Sequence, residues 1–136
     1  MQKHAMAEKK KVFWDGIEID GLMSVGDITL EKSLVEVAEF NRKRQIQSDV
    51  TTVPAIEMEY LIKRDSNTLK FFRDFYNNNQ VKDCVIARTD AHGVDFERRL
   101  IQSAEMVKTG DPAYDAKSPV PASIKVTIIP WDIIGL

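Results

Sequence analysis

Apolar and polar residues alternate along most of this chain, and one stretch breaks the rule. In "AIEMEYLIKRD", Ile56, Met58, Tyr60 and Ile62 fall on one side, with Glu57, Glu59 and Lys63 on the other. That period of two is the mark of a half-buried antiparallel strand. "SIKVTIIP" repeats it with Ile124, Val126 and Ile128 on one face, and "VKDCVIART" reads as a further apolar strand. In "VDFERRLIQSAEMVK", Val94, Phe96 and Leu100 share a face with Arg98, opposite Asp95, Glu97 and Arg99. Near the start, "KVFWDGIEIDG" places an Asp15-Gly16 pair between β-formers, a short-hairpin signal. A second strand system opens at "GDITLEKS". The following "SLVEVAEFN" fits a helix through Leu30, Leu34, Val37 and Ala38, and a strand through Val35 and Val37. Ser33 and the β-branched residues favour strand. "NRKRQIQSDVTTVP" then predicts a long, protruding hairpin around residues 40–54, closed by Pro54.

The exception is "RDSNTLKFFRDFYNNNQ". Asp65, Ser66 and Asn67 are good helix N-caps, and Asn77, Asn78 and Asn79 suit a C-terminus. Leu69, Phe72 and Tyr76 stand at i, i+3 and i+7, with Phe71 and Phe75 at i, i+4 beside them. The spacing predicts a helix over about residues 66–78 with one broad apolar face, which caps one open end or flank of the sandwich. A tight turn at Asp90-Ala91-His92-Gly93 and a loop over 109–121, rich in Gly, Pro, Ser and Asp, complete the layout. The fold expected is mainly β (α+β): an antiparallel β-sandwich or barrel with one flanking α-helix, in a single domain spanning 1–136.

Composition changes this picture little. The 136 residues are 43% hydrophobic and 29% charged, with a net charge of −2. Those are ordinary values for a folded chain, and no global field points to nucleic acid or anionic membrane. No apolar run is long enough to span a bilayer as a helix. "MQKHAMAEKKKVFWDG" carries lysines without an apolar core, so residues 1–11 read as a flexible polar arm rather than a secretory signal. The single cysteine, Cys84, cannot form an internal disulfide and reads as a core residue, which fits a reducing compartment.

Catalytic chemistry is not written in the chain. His4 lies in the arm and His92 in a turn, where Asp90 and His92 read as turn residues rather than metal ligands. There is no CxxC, HExxH, GxSxG or Walker-type loop. Neither enzyme activity nor a cofactor is expected. The basic tract Arg42, Lys43 and Arg44 supports an alternative class, a small nucleic-acid-binding module, although no aromatic residues interleave it.

Three features suit an assembly better than a monomer. The hairpin around 40–54 is longer than a turn needs. Apolar residues crowd both ends, Phe13 and Trp14 at the front and Ile129, Trp131, Ile133 and Ile134 at the back. An open antiparallel sheet also leaves edges that invite pairing with another copy.

The run "VEVAEFNRKRQIQSDVTTVPAIEMEYLIKRDSNTLKFFRDFY" resembles the middle of tail tube proteins of contractile-tailed bacteriophages, related in design to type VI secretion tubes. The likeness rests on a strand ending in "EF", a basic "RKR" hairpin, an "IQS" return strand and a "RDSNT" entry into an aromatic helix, over roughly residues 27–103. The resemblance implies a structural virion protein of the tail, assembled in the host cytoplasm as hexameric rings stacked into a tube. Its partners would be further copies, the sheath, baseplate and tape measure proteins, with DNA passing through the lumen unbound and no membrane. It also implies that Asn41, Arg42, Lys43, Arg44, Gln45 and Asp49 belong to a ring-stacking hairpin. The strands over 27–39 and 55–64 would be candidates for the lumen wall, where Glu57 and Glu59 would repel phosphates. Phe13, Trp14, Trp131, Ile133 and Ile134 would form a terminal interface. A tube-like tail initiator or terminator fits the same residues.

Overall fold

The computed structural model describes the backbone of residues 7–39 and 42–135 and, outside residues 33–52, their side chains. Among the described residues ten strands and one helix follow one another: β1 (Lys9–Trp14), β2 (Ile17–Glu18), β3 (Leu22–Val25), β4 (Glu31–Glu39), β5 (Arg42–Thr52), β6 (Ile56–Leu61), α1 (Thr68–Asn77), β7 (Val81–Thr89), β8 (Asp95–Gly110), β9 (Ser123–Ile129) and β10 (Asp132–Gly135). This is the mainly β fold with a single flanking helix that the alternation predicts. Eight strands make one antiparallel sheet in the order β2-β1-β7-β8-β9-β6-β3, with β10 added alongside β8. β3 passes close to β1 without pairing to it, so the sheet curls into a nearly closed barrel. β4 and β5 form a separate two-stranded ribbon.

Alternation builds the core. Ile56, Met58 and Tyr60 of β6 and Ile124, Val126 and Ile128 of β9 all point inward and are buried, and Tyr60 stands opposite Ile124 in the β6–β9 register. Val12 and Trp14 from β1 and Cys84 and Ile86 from β7 complete that layer. In β8 the alternation holds but the face is reversed. Leu100 lies opposite Val85 on the outer surface, while its neighbour Ile101 is fully buried opposite Cys84. Val94 and Phe96 are exposed. The strand is sixteen residues long because it serves two neighbours in turn: residues 99–102 pair with β10 and residues 105–110 with β9. The change falls at Ser103, which has φ of 50° and whose N–H donates to Asp83 Oδ1 at 2.9 Å. A bulge there lets one strand bend around the barrel.

The helix is shorter than its pattern and packs on a narrower face. It spans Thr68–Asn77, and Asn67 occupies the N-cap without a side-chain bond to the helix. Thr68 anchors the first turn instead, its hydroxyl donating to the Asp20 carbonyl at 3.0 Å. Phe72 and Phe75 are fully buried and Phe71 partly so, but Leu69 and Tyr76 are 38% and 41% exposed. Of the five predicted packing residues, these two face away. Asn79, at φ of 50°, takes the left-handed conformation expected of asparagine after a helix.

Two boundaries also move. Lys9, Lys10 and Lys11, read as part of an arm, pair with Thr89, Arg88 and Ala87 as the first rungs of β1. Thr109 and Gly110, assigned to a loop, close β8 against β9. The turns are as predicted. Gly16 and Gly93 have positive φ, and Asp90 Oδ1 accepts the His92 and Val94 N–H groups. A constraint at Gly21 was not visible in the sequence. Its φ is +97°, its carbonyl accepts the Leu61 N–H, and a Cβ there would collide with the Leu61 carbonyl oxygen. Only glycine fits that crossing between β3 and β6.

Candidate assembly surfaces

The aromatic end of the barrel settles what the helix rests on. Trp14 meets Phe72 and Phe75 edge-on, with ring centroids 5.8 and 5.5 Å apart, and Tyr60 lies 4.6 Å from Phe72. The Trp14 indole N–H donates to the Tyr60 hydroxyl at 3.1 Å, so the polar atoms of both rings are matched inside the core. Burial pushes the Tyr60 hydroxyl well above the usual tyrosine range, and burial likewise raises the Cys84 thiol. Cys84 is fully buried in the core, a packing residue as expected. Lys82 Nζ sits over the Phe71 ring at 5.2 Å and reaches Asp15 at 3.4 Å, closing the rim of this end.

Trp14 thus leaves the predicted terminal interface: it is a central core residue. Ile133 leaves it too, since it is nearly buried opposite Ile101. Both point inward because β1 and β10 are strands of the barrel and not tails laid on its surface. The other three predicted residues stay at the surface. Trp131 is 79% exposed, Ile134 is 39% exposed, and Phe13 is half-buried under Arg98, whose guanidinium lies 5.6 Å from the ring centre. β10 pairs only with β8, so its other side is an open edge among the described residues. Asp132 Oδ1 accepts the N–H of Ile133 there.

The β4–β5 ribbon is the second open element. Glu31 stands opposite Thr52, Val35 opposite Ile46 and Glu39 opposite Arg42, which fixes strand rather than helix for "SLVEVAE". Among the described residues it pairs with no other strand. Arg42, Lys43, Arg44, Gln45 and Asp49 all lie on β5, at and behind the hairpin tip; Asn41 lies outside the described residues.

Glu57 and Glu59 face outward from β6 into a shallow groove of about 530 Å³. The groove also receives Lys108, Lys125 and Asp111, and register places Lys125 directly opposite Glu59. Ser123 donates its hydroxyl to Glu59 at 2.8 Å. The surface is therefore mixed in sign and not the acidic strip that β6 alone suggests. Both sides of β6 are filled within the chain, by β3 and by β9. No neighbour's strand can be added there.

At the far end of β1 and β7 from Trp14, charged groups replace rings. Arg88 donates to both oxygens of Glu8 and, at 3.2 Å, to Glu97, while Arg99 approaches Glu97 at 3.5 Å and Arg88 stacks over Phe96. The guanidinium holds the Glu8 carboxyl below the usual carboxylate range, and the two acids raise Arg88 in turn. Spacing in the sequence gives no sign of this cluster, because its members meet only through the β1–β7–β8 register. Among the described residues no group of His, Cys, Asp and Glu is placed to hold a metal ion, and no helix is long and apolar enough to cross a membrane.

Comparison with solved structures gives consistent neighbours. A chain in the anti-feeding prophage tube-terminating cap superposes with a TM-score of 0.81 at 15% identity, over 100% of this chain and 93% of that one. A chain in the PVC sheath/tube terminator of an extracellular contractile injection system, in its extended state, gives 0.79 at 17% identity, over 94% and 93%. The fold is that of contractile-system tubes. Hcp1 from Flavobacterium johnsoniae shares it at a TM-score of 0.61 and 16% identity, over 93% of each chain. No family model and no curated protein matches the sequence. The tube fold accounts for a barrel flanked by one helix; at these identities it speaks to architecture alone.

Proposed function

We propose that this chain is a non-enzymatic structural subunit of a contractile tail tube, forming hexameric rings that stack around a lumen. The observation that carries the reading is the end-to-end superposition on chains of contractile injection systems. Two features unexplained in a monomer support it: the unattached β4–β5 ribbon and the open β10 edge. In this reading Asn41 to Asp49 form the hairpin that contacts the next ring, and Phe13, Trp131 and Ile134 remain of the terminal interface. Glu57 and Glu59 line the lumen together with Lys108 and Lys125. That wall repels phosphate less than two bare carboxylates would. Sheath, baseplate and tape measure proteins are the partners proposed, within a tail assembled in the host cytoplasm and with DNA as the passing cargo.

Negative-stain microscopy of the purified protein at high concentration tests this. Six-fold rings or tubes are expected, and tubes of indefinite length would distinguish a main tube subunit from a tube-like initiator or terminator. A strictly monomeric species overturns the reading. Salt-dependent DNA binding by that monomer, lost on charge reversal of Arg42, Lys43 and Arg44, would establish the nucleic-acid module instead.

A further inference from the structure

β8 changes partners at one peptide group. Register sets Lys82 opposite Ala104 and Cys84 opposite Ile101, so Gln102 and Ser103 together face Asp83 alone. The core demands this bulge. Ile101 and Ala104 stand three positions apart and both are fully buried, which the alternating faces of a regular strand forbid. Ser103 takes the left-handed position of the bulge, with φ of 50°, where glycine is usual. A side chain held there stores backbone strain.

The peptide group between Gln102 and Ser103 is planar, so its carbonyl and its N–H turn together. On one side the Ser103 N–H donates to Asp83 Oδ1 at 2.9 Å. On the other the Gln102 carbonyl accepts the Trp131 N–H at 2.8 Å. Asp83 is fixed by its own backbone: the Asp15 N–H donates to its carbonyl at 2.9 Å, and Asp15 Oδ1 accepts its N–H at 3.1 Å. A carboxylate on β7 thereby sets the angle at which β8 offers a carbonyl to the chain entering β10.

β10 has little else to hold it. It is four residues long, pairs only with residues 99–102 of β8 among the described residues, and buries one side chain, Ile133. Pro130 and the exposed Trp131 separate it from β9. A short strand paired on one side, with one buried contact, opens locally at low cost. Its departure uncovers Ile101 and leaves residues 99–102 of β8 as an unpaired edge.

We propose that β10 is a releasable cover for the β8 edge, and that the Asp83 carboxylate is its latch. With the latch made, the Gln102–Ser103 peptide stays turned toward Trp131 and β10 stays seated. With it broken, that peptide rotates and relieves the strain at Ser103, the Trp131 bond is lost, and β10 lifts away. Ile101 and Ala104 keep the rest of the bulge in place, so the weak side gives way first. The device works within one chain and does not depend on the tube reading.

Hydrogen exchange of the dilute full-length chain, read by mass spectrometry on peptides, tests it. Asp83→Ala removes the acceptor and keeps both backbone bonds to Asp15. Peptides spanning Trp131 and β10 are expected to exchange about tenfold faster, the effect of one lost hydrogen bond, while those of β6 and β9 keep parental rates. Asp83→Asn retains an oxygen acceptor and should return most of the protection. Ser103→Gly removes the strain and is expected to slow β10 exchange severalfold. Parental exchange at β10 in Asp83→Ala overturns the latch. So does acceleration spread evenly over all strands, which is what loss of a merely structural residue would give. If Asp83→Ala does not fold, Ser103→Gly decides: slowing confined to β10 upholds the latch, and unchanged or faster exchange there overturns it.

Discussion

The two ends of the barrel are built on different physics. At one, Trp14, Tyr60, Phe72 and Phe75 exclude water completely. At the other, Glu8, Arg88, Glu97 and Arg99 form ion pairs that remain in contact with solvent. Apolar burial gains about 25 cal/mol for each Å² removed from water, whereas exposed ion pairs contribute little because water already solvates the separated charges. The helix therefore belongs to the end that holds the fold together. The charged end mostly fixes where the start of β1 lies.

The largest effect should follow removal of a ring from the dry end. Phe72→Ala leaves a cavity among Trp14, Tyr60 and Phe71, and is expected to destabilise the monomer by about 3–5 kcal/mol in chemical denaturation. A loss below about 1 kcal/mol would mean that the helix is an accessory and not the lid. Tyr60→Phe is subtler. It keeps the ring but leaves the buried Trp14 indole N–H without its acceptor, at an expected cost of about 1–3 kcal/mol. Tryptophan fluorescence gives a second readout, since Trp14 is the buried one of the two tryptophans and Trp131 is exposed. Unchanged stability would show that the indole finds another partner.

The dry end was half legible in the sequence, and the charged end was not legible at all. Phe71, Phe72 and Phe75 announce a helix face by spacing alone, and that reading survives. Spacing cannot give the width of the contact, so Leu69 and Tyr76 read as packing residues although the barrel reaches only the Thr68–Phe72–Phe75 line. Trp14 reads as an interface residue for a related reason. A tryptophan near a chain end looks like an interface residue until β1 is known to pair with β7, some seventy positions away. The β1–β7 pairing also brings Arg88 to Glu8, and the β6–β9 pairing brings Lys125 to Glu59; both are long-range, so neither the charged end nor the mixed sign of the groove is legible from spacing. The ribbon was legible because its strands are neighbours in sequence, and the choice between helix and strand at Leu34 to Ala38 rested on local β-branching.

The smallest effect should come from the charged end, and it should depend on pH. Arg88 holds the Glu8 carboxyl below its ordinary value, so the folded state releases that proton more readily than the unfolded chain. Its contribution is fully present above the unfolded carboxylate value of about 4.3 and is lost as pH falls through the depressed folded value. Glu8→Gln removes the titrating group and keeps the shape. At neutral pH the parent should melt slightly higher than the variant, and the gap should close as the solution is acidified through that window. Both partners are well exposed, so added salt should shrink the gap as well. A difference in melting temperature that stays constant from neutral to acid would show that the carboxylate charge does not matter. The charged end would then differ from the aromatic end only in its packing, and the contrast between ion pairing and burial would fail.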